Sequence, residues 1–372
     1  MAHHTKEKVR LNDVFSLLHL PLEDRIKSND YFRNELSPIA YIPQILGIEL
    51  GKAFNLSPLI FMYLGRIMNL AAWIFLVFTA IKTTPIFKWL FCLLALSPMS
   101  LFQSASLSKD SFTIGASFLV ISLSLQYAFD ETKTVRIRDL FLLFFLTTLV
   151  FITKQYCFFL YLLFLLIPIR KIGSKKKYFA AFILPISLGV LAFVAWISST
   201  RDISSFLHSN QQLHFILTHP SQYTFVILET ILREGKDYLE GFIGRLGWLD
   251  TPLPQFLRFF YGTMLVFIAL NEKAERVVIG FKQKMIIFFA FIFGLLLLFT
   301  GPYLFWNPVG ESFVKFLQGR YFIPVGTLFF LLLYNQKIGF FRRNDRWIGM
   351  TVHMTLILML TSTSCVIFNR YY

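Results

Sequence analysis

Charge is what this sequence has least of. Asp, Glu, Lys and Arg make up 15% of its 372 residues, where a soluble domain carries about a quarter. Acid is scarcer than base, with 21 Asp and Glu against 36 Lys and Arg. Cysteine is scarcer still. Cys92, Cys157 and Cys365 each lie in an apolar run with no ligand spacing, which excludes a disulfide framework and a thiolate zinc site and suits small packing residues. His3 and His4 sit in a polar head, and His208, His214 and His219 are scattered. There is no HExxH, no Cys/His cluster, no GxGxxG opening a helix, no P-loop and no GxSxG. Zincin, dinucleotide-binding, P-loop and α/β-hydrolase chemistries lose their signatures with them.

What is abundant is apolar surface, at 56% of residues, with aromatics at 18%. It recurs at 59–81, 87–101, 111–129, 139–153, 156–169, 177–198, 255–271, 283–304, 320–334 and 347–367. A helix crosses a bilayer of about 30 Å with about 20 apolar residues. The alternation of a transmembrane barrel is absent. The expected fold class is therefore all-α: a polytopic integral membrane helical bundle of about ten apolar segments, with outer amphipathic helices. Only Lys154 and Gln155 separate 139–153 from 156–169. That pair fits two short spans, a hairpin that does not cross fully, or one long bent helix.

The net charge of +15 sits in short loops, where it is a topology signal rather than a nucleic-acid footprint. The loops 130–138, 170–177, 271–284 and 335–346 are basic and share one side if the ten segments alternate. The positive-inside rule makes that side cytoplasmic. The outer side receives 102–110, Lys154, the 199–254 segment, 305–319 and both termini. The expected organisation is one membrane domain over 1–372. It comprises an outer tail 1–58 with an interfacial helix over 36–54, a first helix group 59–198, an extracytoplasmic amphipathic segment 199–254 and a second group 255–372. No signal peptide or span precedes the outer tail, so an upstream span is expected to be missing.

Polar residues within this frame are the candidate site. Arg66 lies in the first span with Asn69 three residues on. It either snorkels outward or faces a cavity, holding a phosphate or pairing with Asp110. Lys154 is a loop lysine or a phosphate contact. The outer stretch FWNPVGESFVKFLQGRY carries Glu311, Lys315 and Arg320, with Gly319 permitting close backbone approach. Lys109 and Asp110 head the 111–129 span. Ser108 or Asp110 suits an N-cap there, and an acid in the first turn suits the helix dipole. One acid, Asp110, and the cations Lys109, Lys154, Arg320 and Arg66 at one membrane face suit a polyprenyl-phosphate-linked donor. The cations hold the phosphate leaving group. The acid orients or deprotonates an acceptor, or holds a divalent metal.

The stretches SPIAYIPQILGIELGKAF, LGRIMNL, LSPMSLFQSASLSKDSF, GRLGWLDTPLP and QGRYFIP together resemble domain-of-unknown-function family 2142, a group of bacterial predicted membrane proteins. That family is similar in architecture to GT-C glycosyltransferases, which take sugars from polyprenyl-phosphate donors outside the membrane. The resemblance implies a bacterial inner-membrane protein in envelope-glycan or surface-polysaccharide assembly. Its implied partners are membrane lipids, a lipid-linked sugar donor and envelope-biosynthesis proteins. Family members usually open with a span followed by an acidic outer motif of the Pro-Asp-Glu type. This chain has neither, and Glu23, Asp24, Asp30 and Glu35 do not match that motif, so the chain as given is expected to lack that acid. Asp110 then corresponds to the second outer loop, where GT-C enzymes often carry a second acid. Two other readings stand beside transfer: a transporter or flippase of a lipid-linked glycan, and a non-catalytic subunit of an envelope assembly.

Overall fold

The computed structural model describes residues 8–19, 38–200, 203–272, 274, 277–335 and 345–372. Glu23, Asp24, Asp30, Glu35 and the basic residues of 336–344 lie outside them. Fourteen helices follow one another among the described residues. They are α1 Leu11–Ser16, α2 Ile42–Ala53, α3 Pro58–Thr83, α4 Lys88–Ala95, α5 Pro98–Ser104, α6 Lys109–Phe129 and α7 Ile137–Thr153. After these come α8 Lys175–Thr200, α9 Ile203–Thr218, α10 Pro220–Ile243, α11 Gln255–Asn271, α12 Phe281–Trp306, α13 Phe322–Leu333 and α14 Asp345–Tyr371. Between α10 and α11 a two-stranded antiparallel hairpin pairs β1 Arg245–Leu246 with β2 Thr251–Pro252. Five helices, α3, α6, α8, α12 and α14, are long and apolar enough to cross a membrane. The chain is an all-α membrane protein.

Local chemistry sets the boundaries. Proline, whose missing N–H is harmless in a first turn, opens α3, α5 and α10. Ser97 caps α5 and Ser108 caps α6 through their hydroxyls. The Ser97-Pro98 pair also breaks the apolar run 87–101 into α4 and α5, because proline disfavours helix in the residue before it.

Residues 139–169 form a hairpin. α7 ends at Thr153, Lys154 is extended, and Gln155–Leu166 continues as a 3₁₀ helix. Phe151 meets Phe158, Thr148 hydrogen-bonds Tyr161 at 2.7 Å and Phe144 meets Phe164, so the two arms run antiparallel. Twelve residues at about 2.0 Å each extend roughly 24 Å, where an α-helix of that length covers about 18 Å.

The bundle has two distinct ends. At one, the Lys171 ammonium donates to Asp130 O, Glu272 accepts the N–H groups of Trp89 and Leu90, and the Tyr334 hydroxyl donates to Val277 O. Of the basic loops, the described residues Lys133, Lys171 and Lys284 lie there. At the opposite end lie the α5–α6 loop, Lys154, the 305–321 stretch, α9 and α10. α6 is the central post, buried along nearly its whole length and packed against α3, α5, α7, the 3₁₀ helix and α13. α8 is the contrast, with Phe179, Leu184 and Leu191 exposed as on a lipid-facing helix.

Two amphipathic stretches dock more closely than their composition suggests. α2 keeps Ile45, Leu46 and Leu50 exposed but packs its glycine face antiparallel on α3. A Cβ on Gly47 would lie 2.5 Å from Leu64 O, and one on Gly51 would lie 2.3 Å from Phe61 Cβ. Small residues permit this helix contact. The stretch expected to lie at the interface is thus also half of a helical hairpin with α3. α10 sits against the 305–321 stretch: Thr230 Oγ1 accepts Val314 N–H at 2.8 Å, and Gly241 meets Gly319 backbone to backbone.

Candidate functional site

Asp110 enters the fold as a first-turn residue of α6, its N–H bound to Ser108 Oγ at 3.2 Å. That is the capping geometry expected of the sequence. It leaves the carboxylate pointing into protein, where its side chain is 7% exposed. Lys154 Nζ lies 3.1 Å from one carboxylate oxygen and Arg320 Nε 2.6 Å from the other. The two cations come from different parts of the chain. Lys154 occupies the reversal between α7 and the 3₁₀ helix. Arg320 sits in the turn Gly319–Tyr321 that opens α13. The contact between Gly241 and Gly319 fixes that turn against α10, because no side chain fits between the two backbones.

The aromatic surroundings extend the cluster. The Tyr321 ring carries the Lys154 ammonium 3.9 Å from its centroid and the Arg320 guanidinium at 5.3 Å, within cation–π range. Tyr156 lies 6.3 Å from Tyr321, centroid to centroid. Tyr41, in the turn Pro38–Tyr41 outside the spans, has its hydroxyl pushed above its ordinary pKa by burial and then by the Asp110 charge.

A polar network orders the approach to Asp110. The Gln44 amide donates to Asn69 Oδ1 at 2.9 Å and to Ser108 O at 3.2 Å. Asn69 donates to Ser106 O at 2.7 Å and to Ser104 O at 3.2 Å. α2 and α3 thereby pin the 104–108 loop in front of α6.

The five candidates from the sequence separate. Asp110, Lys154 and Arg320 form one cluster. Lys109 lines an adjoining cleft of about 200 Å³, with Lys154, Gln155 and Tyr321 beside Leu297, Pro302 and Trp306 of α12. Arg66 does not join Asp110. Its Nε donates to Ala105 O at 2.7 Å and its guanidinium lies over Tyr63, because α3 extends past the α5–α6 loop at this end. Glu311 and Lys315 pair with each other at 2.7 Å. Gln44, Tyr41 and Tyr321 were missed as site residues. Tyr321 was within reach in QGRY, but nothing in the sequence signals that α2 folds back on α3.

A divalent metal does not fit here. Asp110 faces two cations, and among the described residues no three His, Cys, Asp or Glu side chains come together as a metal-binding group. The cluster's formal charge is +1 in a place largely closed to water. An ionised side chain left uncompensated in such a place is costly.

These features define a helical membrane protein whose spans assemble a buried acid–base cluster at the mouth of an apolar cleft. The family described as predicted membrane protein (DUF2142) matches residues 2–329, and the chain belongs to it. No curated protein and no solved structure matches the chain.

Proposed function

We propose that this end of the bundle binds the phosphate of a polyprenyl-phosphate-linked sugar and transfers the sugar to an acceptor hydroxyl during bacterial envelope-glycan assembly. The observation that carries the reading is the Asp110 carboxylate shared by Lys154 and Arg320 beside an apolar cleft. The apolar wall of α12 suits the lipid tail. Lys154 and Arg320 suit the phosphate, Arg320 by its forked donors. In this reading Asp110 holds the phosphate's seat while the site rests.

The donor phosphate takes over both cations, and the freed carboxylate turns to the acceptor hydroxyl. The acceptor oxygen forms the new bond to the anomeric carbon as the bond to the phosphate oxygen breaks. The proton goes to Asp110, and the lipid phosphate leaves on Lys154 and Arg320. The site end is then extracytoplasmic and the basic end cytoplasmic, in the bacterial inner membrane. The acid and its two cations lie at one end of the bundle, which supports transfer over transport, since transporters place their sites near mid-membrane.

The test is genetic. Asp110→Asn and Lys154→Gln are each expected to abolish the cell's lipid-dependent glycan at matched protein level in the membrane. An unchanged glycan would overturn the reading and leave Asp110 as a cap.

A further inference from the structure

A second concave site lies on the flank of the molecule and shares no residue with the cleft beside Asp110. α10 and α11 diverge from the β1–β2 hairpin and leave a groove of about 510 Å³ between them. Its residues are graded by polarity. Lys236 and Glu240 of α10 and Gln255 and Arg258 of α11 form one part. Phe259, Gly262 and Val266 of α11, with Ile243, form the other.

On α11 these residues follow one helical stripe, 255, 258/259, 262 and 266. α11 runs from the site end toward the basic end. The polar members therefore lie at the membrane edge, and Val266 lies about 16 Å further in. Phe256, Phe259 and Leu239 are exposed around the rim, so the groove opens sideways to lipid.

The charge at its head is specific. Arg258 Nη1 pairs with Glu240 at 2.5 Å with both side chains largely buried. Arg258 Nε is buried with no hydrogen-bond acceptor in the protein. Lys236 stands exposed beside the pair. Glu240 offsets one of the two cations, and the remaining positive charge matches one phosphodiester.

We infer that the α10–α11 groove binds a glycerophospholipid. The head phosphate lies on Lys236 and Arg258, and an acyl chain runs along Phe259, Gly262 and Val266. A bound chain here fills the space between the extracytoplasmic helix and the spans. It thereby ties the bilayer to the helix that positions Arg320 through Gly319.

The test uses the purified full chain in detergent, titrated with phosphatidylglycerol and read by native mass spectrometry. Lys236→Gln removes the exposed cation. Gly262→Leu fills the apolar part without a backbone clash, since a Cβ there meets only Ile243 Cδ1 at 3.6 Å. The wild-type chain is expected to retain one phospholipid. Lys236→Gln should weaken retention about fivefold, the effect of one cation at an anionic headgroup. Gly262→Leu should abolish retention, with the lipid-free melting temperature unchanged. Should Gly262→Leu fail to fold, Lys236→Gln decides alone. Wild-type retention in Lys236→Gln, or equal stabilisation by inorganic phosphate in place of the lipid, overturns the site.

Discussion

Asp110→Asn keeps the shape of the side chain and leaves Lys154 and Arg320 facing each other with no anion between them. Breaking a buried ionic contact from one side costs about 3–5 kcal/mol. The variant is therefore expected to melt well below wild type in detergent, and Asp110→Asn combined with Lys154→Met should recover part of the loss. Additive losses would mean that Asp110 and Lys154 are not coupled. The exchange of carboxylate for phosphate has its own readout in the wild-type chain. Asp110 should resist carbodiimide modification at rest and become modifiable when decyl phosphate is added. Protection by decyl phosphate, or no change with it bound, would exclude the exchange. At this scale the sequence already put Asp110, Lys154 and Arg320 at one end, because the alternation of spans and basic loops is periodic information. It could not separate Arg66 from them. Whether an arginine two turns into a span reaches an acid or a nearby carbonyl depends on where α5 ends.

Among elements, the contact that matters most to the site is α10 on the Gly319–Tyr321 turn. A Cβ at Gly319 would lie 2.2 Å from Tyr238 O and 2.6 Å from Gly241 C, so Gly319→Ala must push backbone from backbone. The expected cost is about 1–3 kcal/mol, with loss of glycan modification as Arg320 withdraws from Asp110. A stable, active Gly319→Ala chain would show that α10 does not position the arginine. The hairpin is held differently. Asp250 accepts from Arg370 Nη2 of α14 at 2.9 Å and from the Trp248 N–H. Burial works against its charge, but the Arg370, Thr251 and Trp248 hydrogen bonds outweigh it and hold the carboxyl below the usual range. A depressed carboxyl stabilises the fold fully above its unfolded value of about 3.9 and loses that contribution as pH falls below it. Melting temperature should therefore drop between about pH 4 and lower values, less steeply in Arg370→Gln. Equal slopes would remove this pair from the acid response. GRLGWLDTPLP thus owes its residue types in part to a staple: Gly247 and Leu249 adopt left-handed turns, and Asp250 reaches the last turn of α14. The 3₁₀ run Gln155–Leu166 was less legible, since an unbroken apolar stretch has no periodicity to distinguish it from an α-helix.

Over the whole molecule, the division into a basic end and a site end makes orientation measurable. In a cysteine-free background, Val309→Cys, at an exposed position after α12, should be labelled by an impermeant maleimide from outside intact cells. Lys176→Cys should be labelled only after lysis. The reverse pattern would turn the bundle over and with it the proposed extracytoplasmic site. The membrane class was legible throughout, because apolar runs and basic loops are matters of composition. The docking of α2 and α10 was not. Both rest on glycines, Gly47, Gly51, Gly241 and Gly319, whose importance appears only when a second backbone is found against them.

Asp110 and Arg320 are 210 residues apart in the chain. At a synthesis rate of about 5–20 residues per second, roughly 10 to 40 s separate their emergence from the ribosome. For that interval the nascent protein carries Asp110 without its arginine. Closure of the cluster therefore waits for Arg320, and a product truncated before it pairs Asp110 with Lys154 alone.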